Sequence, residues 1–145
     1  MTTDTQAGKR ADDITQYRLS HTMLRTRDLK QSLDFYTGLL GMKVLRQTEY
    51  PDGKFTNTFI GYGAEVDHTT IELTYNWDRS EPYPTGEAFG HIAIEVPDVY
   101  ATCERLARNG VKIVRPAGPM KHGSRVIAFV EDPDGYKVEL NDAIW

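Results

Sequence analysis

Most of the chain alternates apolar and polar residues in short runs, and twice this pattern gives way to a helical period. His21-Thr22-Met23-Leu24-Arg25 opens an extended run. Leu29, Leu33, Tyr36 and Leu40 then recur at the spacing of one helix face. Asp28 stands where an N-cap accepts from the orphan amides of the first turn, with Gln31 placed to complete a capping box. Gly41 supplies the left-handed residue that ends the helix. Strand-like runs follow at Met42-Lys43-Val44-Leu45, Phe55 to Ile60 and Ile71-Glu72-Leu73, with a turn at Gly61-Tyr62-Gly63.

The same order is then written a second time. His91-Ile92-Ala93-Ile94 opens it, Asp98 caps, and Val99, Cys103 and Leu106 form the buried stripe that Gly110 stops. Val111 to Val114, Arg125 to Val130 and Val138-Glu139-Leu140 supply the strands, the last entered through Asp132-Pro133-Asp134-Gly135. The pattern predicts an α+β chain of two tandem βαβββ modules, over 17–76 and 88–145. A linker over 77–87 carries prolines and charges, and a polar tail over 1–16 is expected to be disordered.

Composition narrows the setting. The 145 residues, 39% hydrophobic and 26% charged, suit one compact domain or two small modules sharing a core. A net charge of −4 without a basic cluster argues against a nucleic-acid surface. No run approaches a membrane span, and the polar opening has no apolar segment of the secretory kind. The single cysteine, Cys103, excludes an intramolecular disulfide and fits a reducing, cytoplasmic compartment. Its place on the helix stripe reads as a buried thiol rather than a nucleophile.

Matching apolar positions alone would reflect only core constraints. Here a His and a Glu also recur, 51 residues apart in the first copy and 48 in the second. Side chains alternate along a strand, so His21, Met23 and Arg25 share a face, as do Glu72, Thr74 and Asn76. If the first and last strands of a module are neighbours, its His and Glu converge. A pseudo-twofold between modules would then gather all four around one divalent cation. Two imidazoles and two carboxylates suit such an ion, and donor softness leaves nickel, cobalt, zinc and iron open. A carboxylate inside an apolar strand is costly without a partner, which adds weight to Glu72 and Glu139. His68 and His122 have no counterpart in the other copy and read as solvated. The Asp132–Gly135 segment lacks the acidic spacing of a calcium loop. Tyr50, Phe55, Tyr62 and Trp77 either line the cup or simply pack.

His21-Thr22-Met23-Leu24-Arg25, Asp34-Phe35-Tyr36, Leu40-Gly41-Met42, Ile71 to Trp77, Gly90-His91-Ile92-Ala93 and Ala128 to Tyr136 resemble the glyoxalase I (lactoylglutathione lyase) family of the vicinal-oxygen-chelate superfamily. The likeness runs from about Tyr17 to Leu140. It implies that the modules form curved mixed sheets and that His21, Glu72, His91 and Glu139 ligate the metal. It further implies a homodimer with two sites, His21 and Glu72 coming from one subunit and His91 and Glu139 from the other. The short chain and a histidine at the first ligand position resemble the bacterial nickel- or cobalt-activated class, the zinc class commonly carrying glutamine there. The implied reaction isomerises the glutathione–methylglyoxal hemithioacetal to S-D-lactoylglutathione through an enediolate, a carboxylate moving the proton. Glu139 is favoured for that task over Glu72. Arg25 and Asn76 would hold the amino-acid end of glutathione. An arginine that the longer class uses for a substrate carboxylate falls near Glu87, so Arg115 and Lys121 are the substitutes. Competing readings are an extradiol-type dioxygenase, a thiol transferase acting on antibiotics, or a non-catalytic small-molecule binder of the same architecture. The second matched glutamate disfavours the first two, and the binder would need no metal ligands.

Overall fold

The computed structural model describes residues 11–143. The first ten residues of the expected tail lie outside that range. Residues 14–16 form a single 3-10 turn, capped by the Asp13 carboxylate accepting from the Thr15 amide.

Two four-stranded mixed sheets carry the molecule. In the first module β1 (His21–Thr26) is followed by α1 (Leu29–Leu33), β2 (Lys43–Tyr50), β3 (Phe55–Gly61) and β4 (Thr70–Asn76). In the second, β5 (His91–Val96) is followed by α2 (Val99–Arg108), β6 (Ile113–Pro119), β7 (Val126–Glu131) and β8 (Lys137–Asp142). The sheet orders are β1-β4-β3-β2 and β5-β8-β7-β6, so the first and last strands of each module are parallel neighbours. A helical crossover allows that parallel pairing, and the other strands pair antiparallel.

Both helices begin as the sequence predicts. Asp28 accepts from the Gln31 amide at 3.1 Å and Asp98 from the Ala101 amide at 3.0 Å. The expected capping box is only half formed, because the Asp28 amide donates to Thr26 Oγ1 at 3.3 Å rather than to Gln31. Both helices stop at glycines with positive φ, 77° at Gly41 and 82° at Gly110. Val99, Cys103 and Leu106 are buried as the stripe requires.

The first helix departs from the regular period. After α1 the chain widens into a π-helical segment, Asp34–Leu39, with the Leu40 amide donating to the Phe35 carbonyl. Thr37 Oγ1 donates to the Leu33 carbonyl at 2.5 Å, competing with the backbone for that acceptor. The wider turn shifts the helical phase, so that consecutive Phe35 and Tyr36 both enter the core, their rings edge to face at 4.9 Å.

One apolar cluster spans both modules, joining Leu24, Phe35, Tyr36, Ile60 and Leu73 to Ile94, Leu106, Val130, Val138 and Leu140. A polar clasp closes the seam. Tyr36 OH donates to Asp132 Oδ2 at 2.7 Å, Ser32 Oγ to Asp134 Oδ2 at 3.3 Å, and the Arg27 amide to Asp134 Oδ1 at 3.1 Å. Asp132 Oδ1 meanwhile accepts from the amides of Asp134 and Tyr136, which shapes the turn before β8. Burial pushes the Asp132 carboxyl up to about 6 in spite of these donors. Burial, reinforced by the carboxylate beside it, pushes the Tyr36 phenol well above its ordinary range.

Candidate metal centre

Register decides where the repeated His and Glu meet. On the first sheet Met23 lies across from Glu72, so His21 is two residues from the glutamate's partner on the same face. On the second, Ala93 lies across from Glu139, and His91 stands in the same relation to it. His21 Nε2 comes to 3.0 Å from Glu72 Oε1, and His91 Nε2 to 3.3 Å from Glu139 Oε1. The side chains are also alike in exposure, 37% and 14% for the first pair and 39% and 18% for the second, so both pairs are open on one side.

This spacing fits a metal. Two donors each about 2.1 Å from one ion and at right angles to it are about 3.0 Å apart. An imidazole nitrogen and a carboxylate oxygen at that separation form half of a four-donor N/O set for a divalent cation. The two pairs remain separate within one chain, however. Among the described residues no group of three or more His, Cys, Asp or Glu side chains is arranged to share an ion. A single chain therefore brings the four predicted ligands together two by two.

The support beneath each pair is duplicated too. Phe59 lies across from Glu72 and meets the His21 ring edge to face at 5.2 Å. Phe129 lies across from Glu139 and meets His91 at 4.9 Å. A bulge in β2 after Val44 brings Arg46 opposite Phe59, with its guanidinium carbon 3.8 Å from the ring centroid and its Nε donating to Glu65 at 2.7 Å. A matching bulge in β6 brings Arg115 opposite Phe129. Phe59 and Phe129 are the same residue at the same step of the repeat. Without the register, they read as ordinary strand positions.

Second partners differ between the halves. His21 Nδ1 lies 3.2 Å from Ser20 Oγ, which helps set that ring. Glu139 Oε2 accepts from Asn141 Nδ2 at 2.6 Å, and Asn141 Oδ1 in turn accepts from Arg125 Nη2 at 3.0 Å. Arg125 also faces Glu95 at 3.6 Å. Asn141 is buried and was not singled out from the sequence; its position two residues after Glu139 was the available signal.

The remaining candidates are placed as follows. Arg25 is exposed on the face of His21, and Tyr136 OH donates to its backbone carbonyl. Asn76 is half-buried on the face of Glu72, its Oδ1 accepting from Tyr83 OH at 3.3 Å. Arg115 directs its guanidinium at the carbonyls of Pro116, Gly118, Pro119 and Ile127, holding the bulged end of β6. Lys121 lies exposed in the β6–β7 turn. His68 pairs with Asp67 at 2.7 Å, half exposed, and His122 is exposed in the β6–β7 turn. Cys103 is buried, and burial pushes its thiol up, away from nucleophilic use. Trp77 donates to Thr56 Oγ1 at 2.8 Å, whereas Tyr50 and Phe55 stack on each other at 4.7 Å.

Two cavities lie elsewhere. One of about 390 Å³ is walled by Met42, Ile60, Ile71 and Ile92 between the modules. Another, of about 760 Å³, lies between the π-helical segment and the loops around Gly110 and Pro133. Neither includes a His–Glu pair.

The chain is similar to several known proteins. The sequence profile of the Glyoxalase/Bleomycin resistance protein/Dioxygenase superfamily matches residues 18–140. A lactoylglutathione lyase of Neisseria meningitidis is 62% identical over 85% of this chain and 88% of its own. That of Salmonella typhimurium is 55% identical over 87% and 93%. The structure of glyoxalase I from Zea mays superposes with a TM-score of 0.83 at 45% identity, covering 87% of this chain but only 44% of the maize protein. The trypanothione-dependent glyoxalase I of Leishmania major matches with a TM-score of 0.77 at 44% identity over 87% and 86%. No helix among the described residues is long and apolar enough to cross a membrane.

Proposed function

Because this chain belongs to the Glyoxalase/Bleomycin resistance protein/Dioxygenase superfamily, we infer from its matched His–Glu pairs that it is a lactoylglutathione lyase, a glyoxalase I. Its substrate is the hemithioacetal of glutathione and methylglyoxal, and its product is S-D-lactoylglutathione. The reaction is a redox-neutral isomerisation: C1 loses a proton, C2 gains one, the C2 carbonyl becomes a hydroxyl and the C1 hydroxyl becomes the thioester carbonyl. The observation that carries this reading is the identical His–Glu register on two sheets of a chain so similar to lactoylglutathione lyases.

His21, Glu72, His91 and Glu139 would hold one divalent ion, nickel or cobalt in preference to zinc. A bound ion supplies Lewis-acid stabilisation of negative charge on the two substrate oxygens, worth several kcal/mol in such reactions. The four ligands meet in a homodimer, in which His21 and Glu72 of one subunit face His91 and Glu139 of the other. Two open pairs that stay apart in one chain support that arrangement. Glu139 moves the proton between C1 and C2, and its hydrogen bond from Asn141 keeps one oxygen oriented while the other exchanges partners. Arg25 and Asn76, on the face of the first pair, hold the carboxylate and amide groups of glutathione. The protein works in the reducing cytoplasm, where glutathione is available and a lone buried thiol is stable.

The test is isomerase turnover of the metal-loaded protein with glutathione and methylglyoxal. The chelated protein should be inactive and regain more activity with nickel than with zinc. Glu139→Gln should lower kcat about 10²- to 10⁴-fold. Near-normal turnover of that variant would move the proton-transfer role to Glu72.

A further inference from the structure

Beyond Glu72 and its histidine, the first sheet carries a second group of side chains on the same face. β3 presents Phe59, Asn57 and Phe55 directly across from Glu72, Thr74 and Asn76. β2 adds Arg46, Thr48 and Tyr50 beside them. The half of the face formed by β2 and β3 is thus an aromatic floor, with Phe59 beneath Arg46 and Phe55 stacked on Tyr50. One amide is set into it. Asn57 Oδ1 accepts from Thr74 Oγ1 at 3.0 Å, which fixes the rotation of the amide plane. The NH₂ end of that amide makes no hydrogen bond among the described residues, and Asn57 is half-buried. An amide held at one end and free at the other is an oriented donor.

Asn57 is diagonal to Glu72, one strand across and two residues along, which places the two residues roughly 7–8 Å apart and their Cβ atoms somewhat closer. Were His21 and Glu72 to hold the ion, the aldehyde end of the adduct would lie beside this pair, one strand across from Asn57. Arg25 on β1 and Asn76 at the end of β4 take glutathione in the reading above, leaving the β3–β2 floor to the aldehyde's own tail. An alkyl tail there would strip water from the amide and return no hydrogen bond, whereas a hydroxyl would replace the lost water.

We propose that Asn57 is a specificity-determining residue, donating a hydrogen bond to an oxygen on C3 of the aldehyde-derived part of the adduct. The enzyme is thereby tuned to hydroxylated 2-oxoaldehydes relative to alkyl ones. This rests on the glyoxalase I reading and adds to it a class of substrate.

Two variants test it. Asn57→Leu removes both halves of the amide at similar volume, and Asn57→Ala removes them without adding bulk. Binding of two inert thioethers, S-propylglutathione and S-(3-hydroxypropyl)glutathione, is measured by calorimetry on the metal-loaded protein. Turnover is compared between the glutathione adducts of methylglyoxal and 3-hydroxy-2-oxopropanal. The native protein should bind the hydroxylated thioether about three- to tenfold more tightly, and both variants should lose that preference. The ratio of kcat/KM values, hydroxylated to methyl, should fall by a similar factor. Equal binding of the two thioethers by the native protein would overturn the proposal, as would variants that weaken both alike, which would assign Asn57 to glutathione itself. If the methylglyoxal adduct is not isomerised and neither thioether binds, the functional reading fails and the proposal falls with it. Should Asn57→Leu not fold, the smaller Asn57→Ala carries the comparison alone.

Discussion

Single residues separate the two half-sites more than their shared plan suggests. Among the described residues Glu72 has only His21 as a side-chain partner, whereas Glu139 is also held by Asn141, itself tied to Arg125. A ligating carboxylate whose second oxygen is fixed loses less freedom when it takes a metal. Asn141→Leu, close in size but without the amide, should therefore weaken nickel or cobalt binding about 10- to 100-fold. Competition titration against a chromophoric chelator would measure this. Unchanged affinity would mean that the 2.6 Å contact plays no part in holding the ligand. The four ligating candidates were legible in the sequence because they recur with a period that core packing does not require. Asn57 and Phe59 were not, since each interacts across strands and its partner is set by register rather than by spacing. Asn141 stands two residues after Glu139 on the same strand, but what holds it in turn, Arg125, comes from elsewhere in the fold.

Among the elements, the helices show where local signals suffice and where they fail. Asp98 caps α2, and the buried stripe then holds the helix on β6, β7 and β8. Asp98→Ala should cost about 1 kcal/mol in urea denaturation and leave metal affinity unchanged, because the cap lies outside the ligand strands. The first helix was equally legible at its start, where Asp28 caps it. Its second half was not, because a period of 3.6 cannot foresee a π turn. The Thr37 hydroxyl competing for the Leu33 carbonyl is a three-dimensional event, and the resulting phase shift is what brings Phe35, outside the regular stripe, into the core beside Tyr36.

At the level of the whole molecule, the clasp between modules carries a pH signature. The Asp132 carboxyl titrates near 6 in the fold against 3.8 when unfolded, a raised value. Its stabilising contribution is therefore fully present below about pH 4 and is lost as pH rises through about 6. The loss is on the order of 3 kcal/mol from that shift. Asp132→Asn, whose amide oxygen keeps the two backbone donors and whose NH₂ donates to the Tyr36 oxygen instead, should gain stability relative to the native protein as pH rises from about 4 to about 7, as read from chemical denaturation at each pH. A parallel pair of stability–pH curves would refute the buried, raised carboxyl. The proposed sharing of sites between two subunits has its own test. His21→Ala and His91→Ala, each inactive alone, should regain about a quarter of native activity when unfolded and refolded together, because half of random dimers then hold one intact site. No recovery would place all four ligands within one chain.

The chain alone determined its module plan, its helix starts and stops, and the residues that recur for chemistry, because these follow from periods of 2 and 3.6, from caps and glycines, and from a repeat, all local or one-dimensional signals. Only the tertiary structure decided that each His meets its Glu across parallel strands, that the two pairs stay apart in one chain, and which amides and rings surround them. Those outcomes depend on strand register and on burial between modules. Both are fixed by contacts distant in sequence, whose energies no single stretch of residues contains.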